Sequence, residues 1–190
     1  MKIHLEKRAI RAFGIAECFR RATSNHSILA GVVMRSDLVV DGCIYGYATL
    51  EGNDATKNIL RMYKSLNRND INVIMIAGSV VSLYNIIDSD MIFEETDIPV
   101  LNVTFEESEG LEFHIKRRFS KNWKAKLKAY KKIGDRKSLK LHTGYKVFVR
   151  ATGMTYIEAK RTLDKFTQQG AIPEPLRVAK LLARAEFAAL

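Results

Sequence analysis

The sequence is poor in cysteine and has no long apolar run, and each absence excludes a class of protein. Its two cysteines among 190 residues, Cys18 and Cys43, lack CxxC spacing. We expect small buried residues there rather than a disulfide or a metal pair. No stretch approaches the roughly 18 apolar residues of a membrane span, and residues 1–11 lack the apolar core of a signal peptide. We therefore expect a soluble, cytoplasmic protein with no membrane partner.

Several catalytic signatures are missing as well. The sequence has no G-x-x-x-x-G-K-[ST] loop for nucleotide phosphates and no serine or cysteine in a nucleophile-elbow pattern. None of its four histidines is spaced as a metal-ligand pair with another histidine or cysteine. The motifs therefore give no support to nucleotide hydrolysis or to a zinc site.

Acidic residues are almost absent from residues 116–150, and this stretch carries the whole positive excess of the chain. It holds 14 of the 31 Lys and Arg residues and one acid, Asp135, whereas the other 155 residues carry 17 bases and 20 acids. A solvated face is the usual interpretation of a charge run, but here no acids are interspersed to form helix pairs. Because neutralised phosphates release counterions, a basic block on a slightly acidic body favours a polyanionic partner.

We expect this partner to be nucleic acid, either RNA or DNA, bound along a basic helical segment that we define as residues 111–140. Phosphate contacts of this kind position a ligand without reading its sequence. The candidate contacts are Lys116, Arg117, Arg118, Lys121, Lys124, Lys128, Lys131, Lys132, Arg136, Lys137 and Lys140. Arg177 is a further candidate, for a phosphate or for a carboxylate partner.

An apolar stripe within the basic segment predicts two helices. Its members recur every four residues: Leu111, Ile115, Phe119, Trp123 and Leu127. This spacing is typical of a face packed on the core, and an aromatic stacking platform is the alternative. Ser120 suits a helix cap, so we expect a break between Phe119 and Lys121.

The rest of the chain alternates between strand and helix patterns. Ile- and Val-rich segments with short polar links predict antiparallel strands, and continuous apolar runs predict strands buried on both faces. The predicted strands span residues 9–16, 28–35, 38–50, 71–76, 99–105 and 145–151. Four further helices are predicted. The first begins with Asn53 as a cap, and the second spans residues 83–93. The third begins with a Thr155-x-x-Glu158 capping box and is closed by Gly170, and the fourth spans residues 176–190.

This order predicts one α/β domain over residues 1–190, with a ribonuclease-H-like mixed sheet. Three antiparallel strands come first and parallel βα units follow, with helices on both faces of the sheet.

The chain also resembles a known family over nearly its whole length. The matching pieces are Gly14-Ile15, Ala30-Gly31-Val32-Val33-Met34-Arg35, Gly52-Asn53-Asp54-Ala55-Thr56, Pro99-Val100 and Ile172-Pro173-Glu174-Pro175-Leu176-Arg177-Val178-Ala179. They resemble the largely archaeal domain-of-unknown-function ninety-nine family. That family is similar to endonuclease V, a magnesium-dependent nuclease that cleaves near inosine.

The resemblance implies carboxylates at two strand ends, and this chain departs from it at both. Where the family reads Gly-Ile-Asp-Asp-Gly, this chain has Ala16 followed by Glu17, and where the family reads Leu-Asp-Gly, it has Ala77. Glu17 follows Ala16 in a strand and is expected to face the opposite side of the sheet. Glu51 and Asp54 are the other residual candidates, although Asp54 also suits the N-terminus of a helix.

Three functional hypotheses follow. The first is a nucleic-acid-binding protein with a degenerate, inactive metal site and no cofactor. The second is a nuclease that holds Mg²⁺ with Glu17, Glu51 and Asp54. The third is a scaffold or subunit whose basic segment docks on an acidic protein or a ribonucleoprotein. A protein partner or a homo-oligomer is a further candidate assembly.

Overall fold

The computed structural model of the protein describes residues 9–19, 24–107 and 109–189. Most of residues 1–11, the stretch that lacks the apolar core of a signal peptide, therefore lies outside the described residues. The strands are β1 (Arg11–Cys18), β2 (His26–Arg35), β3 (Val40–Thr49), β4 (Val73–Ala77), β5 (Val80–Val81), β6 (Asn85–Ile86), β7 (Val100–Thr104), β8 (Lys137–Lys140) and β9 (Lys146–Thr152). The helices are α1 (Ala55–Leu66), α2 (Ser89–Thr96), α3 (Glu112–Arg118), α4 (Trp123–Lys132), α5 (Tyr156–Phe166) and α6 (Glu174–Ala189).

Seven of the strands form one mixed sheet in the order β3-β2-β1-β4-β7-β9-β8. The central strands β1, β4 and β7 are parallel, while β2, β3, β9 and β8 each run antiparallel to a neighbour. The predicted α/β mixed sheet, with three antiparallel strands before the parallel units, is therefore confirmed. Strands β5 and β6 form a separate two-stranded ribbon directly after β4.

Side chains alternate along each strand, so both faces of the sheet carry apolar residues. Helices cover both faces. Phe13 and Ile15 of β1 lie in one apolar cluster with Ile59 of α1 and Ile92 of α2. On the other face, the buried residues of β4, β7 and β9 form a second cluster with α5 and with Leu176 of α6. The two layers fix which way each residue at the end of a strand points.

Two sequence-based predictions are wrong at the level of secondary structure. Residues 83–93 are not one helix, because Ser82, Leu83 and Tyr84 adopt left-handed φ angles of 48°, 51° and 54°. The chain then enters β6, and α2 begins only after Asp88, whose carboxylate accepts a hydrogen bond from the Met91 N–H. At the end of the basic segment, residues 137–140 form the edge strand β8 instead of helix.

One of the predicted helix caps is present, and neither cysteine has the predicted environment. The break between Phe119 and Lys121 is present, but the residue before α4 is Asn122 rather than Ser120, and Asp54 rather than Asn53 precedes α1. The Thr155–Glu158 capping box is confirmed, although α5 ends at Phe166, well before Gly170. Cys43 is exposed on the edge strand β3 and Cys18 is half-buried, so neither is the buried residue that was expected.

The start of α6 packs against β1 without room for a side chain between them. A Cβ atom on Gly14 would lie 2.5 Å from the Cβ of Pro175 and 2.6 Å from its carbonyl carbon. Pro173 and Pro175 are both buried at this junction. The Pro-Glu-Pro entry of α6 and Gly14 therefore form one close-packed contact, which sets the position of α6 over the strand ends.

Replacing Gly14 by Ala should destabilise the protein by about 1–3 kcal/mol, because the new methyl group overlaps backbone atoms that have little freedom to move. Gly42→Ala in β3 is the matched control, since its Cβ would meet no atom closer than 3.7 Å. The control should change stability by less than about 1 kcal/mol. Urea unfolding of the two variants measures the difference, and equal stabilities would contradict the close contact.

Candidate nucleic-acid interface

Ala16 and Ala77 lie side by side at the carboxyl ends of two adjacent parallel strands. Ile15 of β1 pairs with Ile76 of β4, so the two alanines follow at the same level of the sheet. Both point to the face covered by α6, where they pack near Ala179. The two positions at which the resemblance implies carboxylates are thus brought together, and both carry methyl groups.

A cavity of about 480 Å³ opens above the two alanines. Its apolar wall includes Val80, Val103 and Phe105, and its other side is the α6 stripe that we define as Arg177, Lys180 and Arg184. Among the described residues, no aspartate or glutamate lines this cavity. Mg²⁺ requires oxygen ligands and is repelled by cations. The side chains present therefore do not fit the metal ion that the resemblance implies.

Glu17 points to the opposite face, as strand alternation predicts. Its carboxylate accepts hydrogen bonds from the Ser82 N–H at 2.6 Å and from the Ser82 hydroxyl at 3.1 Å. Burial raises the pKa of this carboxyl, although the hydrogen bonds from Ser82 oppose the shift. The acid holds the left-handed turn at residues 82–84 and does not reach the cavity beside Ala16.

Asp54 closes the turn between β3 and α1. Its carboxylate accepts hydrogen bonds from the Thr49 N–H at 3.1 Å, the Thr49 hydroxyl at 2.7 Å and the Asn85 amide at 2.7 Å. Burial alone raises the pKa of Asp54, but these hydrogen bonds outweigh it and leave the pKa below its usual value. Asn85 also accepts a hydrogen bond from the Ala55 N–H, so it is Asn85 that caps α1.

Glu51 is committed to the basic segment. Its carboxylate accepts a hydrogen bond from Arg118 Nε at 2.6 Å, and its own N–H donates to the Ser82 carbonyl at 2.7 Å. The three residual acids Glu17, Glu51 and Asp54 thus contact different partners. Within residues 9–19, 24–107 and 109–189, no three side chains of His, Cys, Asp or Glu are placed to hold a metal ion together.

The basic segment lies on the α1–α2 face, fastened by a lysine that sequence reasoning did not single out. Lys126 is only 7% exposed, and its ammonium donates to the carbonyls of Glu51 and Gly52 at 2.7 and 2.8 Å. Its charge also lies 4.6 Å from the centre of the Phe119 ring. Burial lowers the pKa of Lys126. The residue therefore stabilises the docking of α4 and is not available for phosphate.

The eleven candidate cations of the basic segment do not share one environment. Two of them form ion pairs with the body of the protein, Arg118 with Glu51 and Lys132 with Asp88. Arg136 is half-buried and donates to Thr104 Oγ1, while Lys137 lies over the Tyr156 ring at 4.4 Å. The remaining seven side chains are exposed: Lys116, Arg117, Lys121, Lys124, Lys128, Lys131 and Lys140.

The predicted apolar stripe is a packing face for part of its length. Ile115 and Leu127 are buried, and Phe119 packs edge-on against Tyr84 with ring centres 5.4 Å apart. Trp123 is half-buried, and Lys116 and Lys124 lie 5.6 and 5.9 Å from its ring centre. The helices therefore dock through their apolar side and leave Trp123 at the boundary with solvent.

Arg177 is tied to the loop before α6. Its guanidinium donates to the carbonyls of Gln169 and Ile172 at 3.0 and 3.4 Å and lies 3.2 Å from the Glu174 carboxylate. Lys180 and Arg184 follow it at helical spacing and border the same cavity. Sequence reasoning missed both, although the i, i+3, i+7 spacing was visible as a signal.

The mixed sheet, the paired strand ends and the helices on both faces define an α/β protein of the ribonuclease-H-like class. Its fold is similar to that of an Archaeoglobus fulgidus protein of unknown function, with a TM-score of 0.78 and 24% identity over 93% of this chain and 98% of that one. It is also similar to Ciona intestinalis endonuclease V in complex with a 24mer DNA containing an inosine followed by a ribo-adenosine. That match has a TM-score of 0.63 and 14% identity over 96% of this chain and 87% of that one.

Sequence comparison identifies the family. The sequence profile of the endonuclease dU family matches residues 8–186. A UPF0215 protein of Pyrobaculum aerophilum is 35% identical over 171 residues, which cover 90% of this chain and 91% of the relative. The chain therefore belongs to the endonuclease dU family, and the predicted relationship to archaeal, endonuclease V-like proteins is confirmed. No helix in the described ranges is long and apolar enough to cross a membrane.

Replacing Lys126 by Met should loosen the basic segment. The apolar side chain fills the same space but leaves two carbonyl groups without a donor, at a cost of about 1–3 kcal/mol. Hydrogen exchange measured by mass spectrometry should then rise in α3 and α4 while the central strands stay protected. Lys128→Met, on the same helix but exposed, is the matched control. Equal exchange in the two variants would contradict the docking role of Lys126.

Proposed function

We propose that the protein binds nucleic acid through the exposed cations of its basic segment, on an endonuclease V-like scaffold formed by residues 1–190 as one domain. The metal site of that scaffold is degenerate in this chain, so binding rather than hydrolysis is the activity. The proposal depends mainly on one observation. Seven cations of the basic segment are exposed and make no ion pair within the described ranges, although the body of the protein has a net excess of acids.

The arrangement along α4 supports phosphate binding. Lys124, Lys128 and Lys131 follow at i, i+4 and i+7, so they lie on one face of the helix, and all three are exposed. Like charges at this spacing destabilise a helix by a few tenths of a kcal/mol per pair. None of these three lysines has an acidic partner within the described ranges. A polyanionic ligand would relieve this repulsion, whereas a merely solvated helix gains nothing from it.

The positions of the paired cations also support this reading. Arg118, Lys126 and Lys132 attach the segment to the loops after β3 and β6. With the attachment supplied by these residues, the exposed lysines are not needed to hold the helices in place. Lys137 and Lys140 lie on the short edge strand β8. Lysines on an edge strand discourage pairing with another strand, so these two cations also have a protective role.

The comparisons support a nucleic-acid partner at the level of the family. The name of the family refers to an endonuclease and to deoxyuridine, and the Ciona intestinalis protein of similar fold was solved with an inosine-containing DNA. Both descriptions belong to those proteins. For this chain they suggest deoxyuridine- and inosine-containing strands as the first ligands to test, beside unmodified DNA and RNA.

Binding to a labelled oligonucleotide should depend steeply on salt. If about six phosphates are neutralised, the logarithm of the association constant should fall with the logarithm of salt concentration with a slope near −4 to −5. Reversing Lys124, Lys128 and Lys131 together to Glu should abolish binding in a fluorescence anisotropy titration. Reversal of Lys57, Lys64 and Arg61 on α1 is the matched control. Salt-independent binding, or retained binding by the α4 variant, would refute the proposal.

The alternative is a divalent-metal-dependent endonuclease that uses the residual acids, and the name of the family favours testing it directly. Deoxyuridine-containing, inosine-containing and plain substrates are incubated with Mg²⁺ or Mn²⁺. We expect no cleavage above an EDTA control, because the cavity at Ala16 and Ala77 presents cations and no carboxylate. Cleavage that Glu17→Gln removes and the exposed-surface control Glu94→Gln keeps would restore the enzyme hypothesis.

A further inference from the structure

We propose that the cavity above Ala16 and Ala77 binds one nucleotide unit, with its phosphate on Lys180 and Arg184 and its base against the apolar wall. The cavity lies on the face of the sheet opposite to α3 and α4, and its cations come from α6, so it is distinct from the proposed contact along α4. The inference rests on the proposed function for a nucleotide within a strand. A free mononucleotide needs only the cavity itself.

The charge of the cavity comes from α6. Lys180 Nζ donates one hydrogen bond to the Glu17 carbonyl at 2.5 Å, and an ammonium group has two further N–H groups to offer. Arg184 lies one turn further on, is exposed, and makes no hydrogen bond or ion pair within the described ranges. Two cations thus border a cavity that no described acid lines, an arrangement that attracts an anion.

The third cation has a different part. Arg177 is bonded to two loop carbonyls and paired with Glu174. These contacts use its guanidinium to fix the loop at the rim of the cavity. We therefore assign ligand contact to Lys180 and Arg184 and a positioning role to Arg177.

The size and the walls of the cavity select the kind of anion. Its volume of about 480 Å³ lies in the range of about 300–1,000 Å³ that small-molecule sites occupy, which is far more than one phosphate ion fills. Val80, Val103 and Phe105 supply an apolar wall beside the alanine floor. A ligand with an apolar planar body and a phosphate of about two negative charges matches both parts.

The test uses isothermal titration calorimetry on the whole protein with deoxynucleoside 5′-monophosphates. We expect the nucleotide to bind and inorganic phosphate to compete with it weakly. Arg184→Glu should lower the affinity for the nucleotide about tenfold or more, because a charge-assisted hydrogen bond is replaced by repulsion. Leu181→Glu, which adds an acid at a 56% exposed position of the same cavity, should weaken binding similarly. Arg161→Glu on α5 is exposed, does not line the cavity, and should leave the affinity unchanged.

Two further results distinguish the outcomes. If free nucleotides fail to bind but Arg184→Glu and Leu181→Glu both weaken the binding of a short single-stranded oligonucleotide, the ligand is a nucleotide within a strand. If neither nucleotides nor oligonucleotides respond to the two cavity variants, the inference is overturned. Because both positions are exposed, circular dichroism and thermal unfolding should match the parent protein and exclude misfolding.

The experiment also separates this inference from the proposed function. The triple α4 reversal should leave binding of the free mononucleotide intact, since α4 does not line the cavity. Oligonucleotide binding that is lost in the α4 variant but unchanged in both cavity variants, with no mononucleotide binding, supports the proposed function and refutes the cavity. Mononucleotide binding that the cavity variants weaken, with no oligonucleotide binding, supports the cavity and refutes the proposed function.

Discussion

The alternation of side chains along β1 determines the chemistry of the site. Adjacent residues of a strand face opposite sides of the sheet, so the acid at position 17 cannot take the place of the carboxylate that the resemblance implies at position 16. Glu17 instead contacts Ser82 on the α1–α2 face. A shift of register that brought Glu17 to the cavity would move the whole strand. It would also displace Gly14 from its close contact with Pro175.

Glu17 stabilises a strained turn on its own face of the sheet. Three consecutive non-glycine residues with left-handed backbone angles cost about 1–2 kcal/mol each, and such a run persists only when its surroundings hold it. The Ser82 N–H and hydroxyl bind Glu17, the Ser82 carbonyl accepts from Glu51, and the Tyr84 ring packs on Phe119. The turn thereby joins the end of β1, the loop after β3 and the basic segment. Two of the three residual acids are used to maintain this junction.

Hydrophobic periodicity is a local property, so the sequence was sufficient to predict the longer strands of the main sheet, although not the short strands β5, β6 and β8. The capping box at Thr155 and the direction of Glu17, away from the face that carries Ala16, also follow from spacing alone. The burial of Lys126 does not. Fourteen basic residues look alike in residues 116–150, and the buried one is selected by the two carbonyls at Glu51 and Gly52, about 75 positions earlier in the chain. The left-handed turn at Ser82 was hidden for the same reason, since its supports at Glu17 and Glu51 are distant in sequence.

The positive charge of the molecule is divided between two faces of the sheet. Helices α3 and α4 of the basic segment lie on the α1–α2 side of the sheet, and the α6 stripe borders the cavity on the other face. The two regions approach each other at the carboxyl ends of the parallel strands, where Arg136 of the basic segment donates to Thr104, a residue that also lines the cavity. A strand that crossed this edge would meet cations on both sides. Ala16 and Ala77 place no negative charge between these cations, so under the proposed function they leave the path of such a strand open to its phosphates.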